Sequence, residues 1–141
     1  ALLNKLLNEM DGLRQDADIF FVLTTNRPEH LEAALAGRPG RIDQAIEFPL
    51  PDEVGRAKLI QLYAGNLSIP RTVLDTTVQR TENVSPAFIK ELMRRVAQYV
   101  FERQDAANEA TQDDIHAALD EMLFAGGRLN ARLLGGPENV E

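Results

Sequence analysis

Ile19-Phe20-Phe21-Val22-Leu23-Thr24-Thr25-Asn26-Arg27-Pro28 is the stretch on which the reading of the fold turns. Residues 19–25 form an unbroken apolar, β-branched and aromatic run. Such a run fits a strand buried on both faces, as in a parallel sheet covered by helices. It is also far short of the roughly 20 apolar residues that cross a bilayer. Arg27-Pro28-Glu29 then opens a short helix expected to reach Leu35, and Gly37-Arg38-Pro39-Gly40 reads as a turn. Residues 44–50 alternate, with Ile46, Phe48 and Leu50 on one face, and predict a second strand. Pro49 and Pro51 mark its end and an edge position. Upstream, Leu2, Leu3, Leu6, Leu7 and Met10 recur at helical spacing until Asp11-Gly12 stops the helix. Helix, strand, helix, strand in about 50 residues means an α/β layer. Two strands do not make a stable sheet, and the first helix has no cap of its own. The expectation is therefore that the rest of the sheet belongs to a longer chain or to another one.

From Asp52 onward the pattern becomes all-helical. Asp52 caps a helix with Leu59, Ile60, Leu62 and Tyr63 as its expected apolar face, ending near Gly65. A short helix follows over roughly 73–80. Ser85-Pro86 is an N-cap followed by proline in the first turn. It starts a long helix carrying Phe88, Ile89, Leu92, Met93, Val96, Tyr99 and Val100. Thr111-Gln112-Asp113-Asp114 resembles a capping box and starts a fourth helix bearing Ile115, Leu119, Met122 and Leu123. These four helices are expected to share a core. The segment from Gly126 is glycine-bearing and poorly periodic, and reads as a mobile tail or a connection.

The bulk numbers are those of a globular chain: 141 residues, 44% apolar and 26% charged. The absence of cysteine excludes thiolate nucleophiles, disulfides and cysteine-bound zinc within these residues, and fits a reducing, cytoplasmic compartment. The two histidines, His30 and His116, stand far apart and suit structural positions better than metal ligation. A net charge of −7 argues against broad nucleic-acid binding, which needs lysine and arginine to displace counterions.

Three pieces taken together resemble the second region of homology of the AAA ATPases, the family of AAA proteases, proteasomal ATPases and segregases. They are Leu7-Asn8-Glu9-Met10-Asp11-Gly12-Leu13, Val22-Leu23-Thr24-Thr25-Asn26-Arg27-Pro28 and Arg38-Pro39-Gly40-Arg41-Ile42-Asp43. The helices after Pro51-Asp52 resemble that family's lid. The resemblance implies an α/β fragment, the end of a P-loop NTPase parallel sheet, over residues 1–51. It implies an all-α four-helix lid subdomain over 52–125 and a flexible tail or linker over 126–141.

The resemblance also assigns roles. Asn26 matches sensor 1, which orients the attacking water near the γ-phosphate. An amide at the carboxyl end of a strand is well placed for this, although Asn26 also suits a cap for the helix starting near Pro28. Arg38 and Arg41 match the arginine fingers that reach a neighbouring subunit's nucleotide. A planar, permanently charged guanidinium suits the charge that spreads in phosphoryl transfer. Surface pairing with Asp43, Glu47 or Asp52 is the plainer alternative. Ala36-Gly37 departs from the leucine usual before the first finger. Asp11, Gly12 and Leu13 match an inter-subunit signalling motif, or are an ordinary helix stop. Ser85-Pro86-Ala87-Phe88 departs from the family's Ser-Gly-Ala-Asp, and Phe88 cannot serve as a sensor 2 group. Lys90 is the candidate lid contact to nucleotide, with Arg94 on the same face; a solvated face is the alternative.

No Gly-x-x-x-x-Gly-Lys-[Ser/Thr] loop and no apolar strand ending in Asp-Glu occurs in the 141 residues. ATP and Mg2+ would therefore be held mainly by a separate N-terminal half, and this chain alone is expected not to hydrolyse ATP. The implied parent is a ring, a hexamer, that remodels or unfolds protein substrates, since head-to-tail contacts close rings. The alternative is a non-catalytic module docking on an intact AAA partner. A protease parent would need a His-Glu-x-x-His motif beyond Glu141.

Overall fold

A computed structural model describes Lys5, Asn8, Glu9, residues 18–27, Glu29, residues 44–104, residues 107–125, Gly135 and Gly136. The chain divides into two units, Ala1–Glu47 and Phe48–Glu141.

In the first unit Lys5, Asn8 and Glu9 are helical, on the first expected helix, and Glu29 is helical on the second. Residues 19–25 carry no strand pairing, and their side chains are exposed, Phe20 to 89%. Residues 44–47 are likewise exposed and unpaired, as are 48–50 at the start of the second unit. The buried parallel sheet is thus not seen among the described residues. A strand is held by ladder bonds to neighbours, and no described residue supplies them to either run.

The second unit is helical, and its ends are set by local chemistry. Asp52 Oδ1 accepts the N–H of Gly55 at 2.7 Å and caps α1, Glu53–Ala64. A Cβ at residue 55 would lie 3.0 Å from that oxygen, so glycine leaves room for the cap. Gly65, with φ of 59°, ends the helix in a conformation glycine adopts without penalty. α2 is Arg71–Arg80 and follows Pro70, starting two residues before the expected Val73. α3 is Pro86–Glu102, where Ser85 Oγ accepts the Phe88 N–H at 3.1 Å. Pro86 in its first turn has no N–H to leave unpaired. α4 is Gln112–Asp120, with both halves of the Thr111–Asp114 capping box formed. A π-helical turn, Glu121–Ala125, continues it.

The core follows the stripe on α3. Phe88, Ile89, Leu92, Met93, Val96 and Val100 are buried, and a side chain of this kind contributes about 1.5–3 kcal/mol when fully buried. α3 packs against α1 and α4, and α2 packs against both of those helices. Ile60, Val78, Ile115 and Met122 complete the same cluster. A short parallel bridge ties the α1–α2 and α3–α4 loops, with Ser68 N–H donating to Asn108 O at 3.0 Å and Ala110 N–H to Ser68 O at 2.9 Å.

The expected face of α1 needs correction. Leu62 is 68% exposed, whereas Arg56 is buried beside Ile60. At 100° per residue Leu62 lies about 200° around the helix from Ile60, while Arg56 and Tyr63 lie within roughly 60° of it. Periodicity therefore favoured Arg56 over Leu62; residue type hid it.

Candidate functional site

Asn26 lies on an exposed bend that closes the 19–25 run. Next to it the Arg27 N–H donates to Thr25 Oγ1 at 3.0 Å, which turns the chain toward the helical residue Glu29. The side-chain amide of Asn26 brings one acceptor and two donors to a position open to solvent. Arg38, Arg41, Asp11, Gly12 and Leu13 lie outside the described residues.

Lys90 is exposed on the first turns of α3 and forms no ion pair with a described residue. Its two cationic neighbours behave differently. Arg94 Nε and Nη2 donate to the Glu91 carboxylate, each at 2.8 Å, and Arg95 Nε donates to it at 2.8 Å. Arg95 Nη1 also pairs with Glu121 at 2.6 Å, on the π-helical turn. Tyr99 OH donates to the same Glu121 at 3.3 Å. The bonds from Arg94 hold the Glu91 carboxyl at about 2, down from 4.5, against the partial burial that pushes it up; Arg95 adds to the lowering. Partial desolvation, with Glu121 alongside, pushes the Tyr99 hydroxyl above its ordinary value. Of the three cations in this part of α3, Lys90 is the one without an ion pair among the described residues. An exposed ammonium and an exposed amide each suit phosphate oxygens, Lys90 in the second unit and Asn26 in the first.

Two other arginines were not singled out by sequence reasoning. Arg56 Nε donates to Val78 O at 3.2 Å and Nη1 to Pro51 O at 3.1 Å. It thereby joins the start of α1 to the carbonyl end of α2, where positive charge is favoured. Its signal was a charged residue four positions before Ile60 on the buried stripe. Arg103 Nη1 pairs with the buried Asp114 carboxylate at 2.7 Å, and Nη2 donates to Glu109 O at 2.8 Å. This bond locks the end of α3 to the cap of α4. No local pattern announces it, because the partners are joined across a loop. Both arginines are structural.

Among the described residues no cluster of three or more His, Asp or Glu side chains could hold a metal ion. Among them, too, no helix is long and apolar enough to cross a membrane.

Residues 1–50 match the family model "ATPase family associated with various cellular activities (AAA)". The chain is 33% identical over 127 residues to the proteasome-activating nucleotidase of Thermococcus kodakarensis, covering 90% of this chain and 31% of that protein. It is 32% identical over 130 residues to the chloroplastic ATP-dependent zinc metalloprotease FTSH 1 of Arabidopsis thaliana, covering 92% and 18%. It is 33% identical over 137 residues to ATP-dependent zinc metalloprotease FtsH 3 of Synechocystis, covering 96% and 20%. Residues 1–50 thus match the AAA ATPase family, and the chain is similar to members of its protease and proteasomal group. It spans 18% to 31% of the length of these relatives.

Proposed function

We propose that residues 1–141 are the sensor, arginine-finger and lid portion of an ATP-hydrolysing AAA machine. The observation that carries this reading is the AAA match over residues 1–50, the span that contains Asn26, Arg38 and Arg41. The similarity runs on through the helical unit to nine tenths of the chain. Residues 1–51 would be the end of the α/β nucleotide-binding subdomain and 52–125 the lid. The phosphate-binding loop is not among these residues. It comes in this proposal from a polypeptide segment outside them, which also holds Mg2+.

The division of labour follows from chemistry. ATP, when bound, supplies the γ-phosphoryl group. Asn26 holds the attacking water with its amide. Arg41 and Arg38 act in trans on the neighbouring subunit's site, where an arginine finger contributes about 10³–10⁵-fold in rate. Lys90 reaches a phosphate from the lid. Asp11, Gly12 and Leu13 carry the neighbour's nucleotide state into the helix before them. A head-to-tail ring, a hexamer, follows from a site completed by the next subunit. The substrate is a protein, in keeping with relatives named for proteasome activation and metalloprotease activity, and the site of action cytoplasmic, in keeping with the lack of cysteine.

A titration of fluorescent ATP with magnesium against the 141-residue chain tests the first part. The expected outcome is no binding up to millimolar nucleotide; micromolar, magnesium-dependent binding would sink the division of labour. In an ATPase that contains this segment, Arg41→Ala should lower hydrolysis by about a thousandfold with nucleotide affinity nearly unchanged. Equal loss of both would instead mean folding damage and remove Arg41 from the site.

A further inference from the structure

The start of α3 is covered by residues from the far end of the chain. The Ser85 N–H donates to Gly135 O at 2.9 Å. Gly135 has φ of +78°, and a Cβ there would collide with the Ser85 hydroxyl and lie 2.9 Å from the Ser85 Cβ. Gly135 and Gly136 are both half-buried. Only a glycine can combine that backbone conformation with so close an approach.

The contact falls on the residue that organises the helix end. Ser85 Oγ accepts the Phe88 N–H, and Ser85 O accepts the Ile89 N–H at 3.2 Å. Pro86 has no N–H to satisfy. The Ser85 N–H must find its acceptor outside the helix, and Gly135 supplies it. α3 is also the helix against which α1 and α4 pack.

We propose that Gly135–Gly136 form a strap fastened on the cap of α3, and that displacing the strap releases the first turn of that helix. Displacement of Gly135–Gly136 is thereby coupled to the central helix of the second unit. The inference does not depend on the ATPase reading, since it uses contacts within this unit alone.

Amide hydrogen exchange on the 141-residue chain tests it, with two glycine variants compared. Gly135→Ala removes the close approach. Gly65→Ala is the control: its φ is +59° with nothing within 4 Å of an added Cβ, so it brings backbone strain without collision. Gly135→Ala should speed exchange at Ser85 and Phe88 at least about tenfold while leaving Ile115–Leu119 of α4 unchanged. Gly65→Ala should leave Ser85 and Phe88 as they were. The strap is overturned if Ser85 stays protected in Gly135→Ala, or if Phe88 stays protected when Ser85 does not. It is equally overturned if α4 accelerates alongside, or if Gly65→Ala reproduces the effect, because either means general loosening.

Discussion

Arg56 shows how a single side chain can be decisive without taking part in any chemistry. Its head satisfies two main-chain carbonyls, Val78 O and Pro51 O, in a buried setting. Arg56→Met keeps much of the packing but takes the guanidinium donor from both acceptors, leaving Val78 O with the Thr81 hydroxyl at 3.3 Å. A charged hydrogen bond of this kind contributes about 1.5–3 kcal/mol, so urea unfolding should show a loss of that order; a change within error would mean that water replaces the guanidinium freely. Glu91 gives a pH prediction. Its folded value, about 2, lies below the ordinary 4.5. A carboxyl lowered on folding stabilises the fold above its unfolded value and loses that contribution as pH falls through its folded one. The second unit should therefore lose stability between pH 4.5 and 2, and Glu91→Gln should flatten that slope. A midpoint-against-pH series on both proteins checks this, and parallel curves would remove Glu91 from the account.

At the scale of elements, the helices are set by caps of unequal weight. Asp52 only caps, whereas Asp114 caps α4 and also receives Arg103 across the loop. Asp52→Ala should cost about 1 kcal/mol, the usual worth of an N-cap. Asp114→Ala should cost more, on the order of 3 kcal/mol, since it also removes the carboxylate that takes a charged hydrogen bond from Arg103. Equal losses in chemical denaturation would show that the Arg103 pair adds nothing. The caps were legible because each is a pattern within four residues: Asp52 to Gly55, Ser85 to Phe88, Thr111 to Asp114. The Arg56, Arg103 and Gly135 contacts were not, because their partners are 22, 11 and 50 residues away.

At the scale of the whole molecule, the two units differ in what their residues find to pack against. The second buries its apolar stripes against one another. In the first, Ile19, Phe20 and Val22 are exposed and no ladder reaches them among the described residues. Exposed apolar runs of high strand propensity favour association. Phe20→Lys should thus raise the concentration at which the chain stays monomeric, with no change in the melting of the second unit. A fall in that melting temperature would show that Phe20 packs where the structure leaves it exposed.

By itself the sequence determined the resemblance to the AAA ATPases, the helical character after Asp52, the three N-caps and the stripe of α3, because these reside in short-range patterns and periodicity. The position of Asn26 after an apolar run was legible in the same way. Tertiary structure decided which face of α1 is buried, which cations stay free and what covers the Ser85 cap. Those outcomes depend on which distant groups compete for the same donor or acceptor. Arg94 and Arg95 are taken by Glu91, and Lys90 is left without an ion pair among the described residues. No window of sequence contains that competition, since an ion pair or a buried hydrogen bond is chosen only when folding has removed the water that would otherwise satisfy both partners.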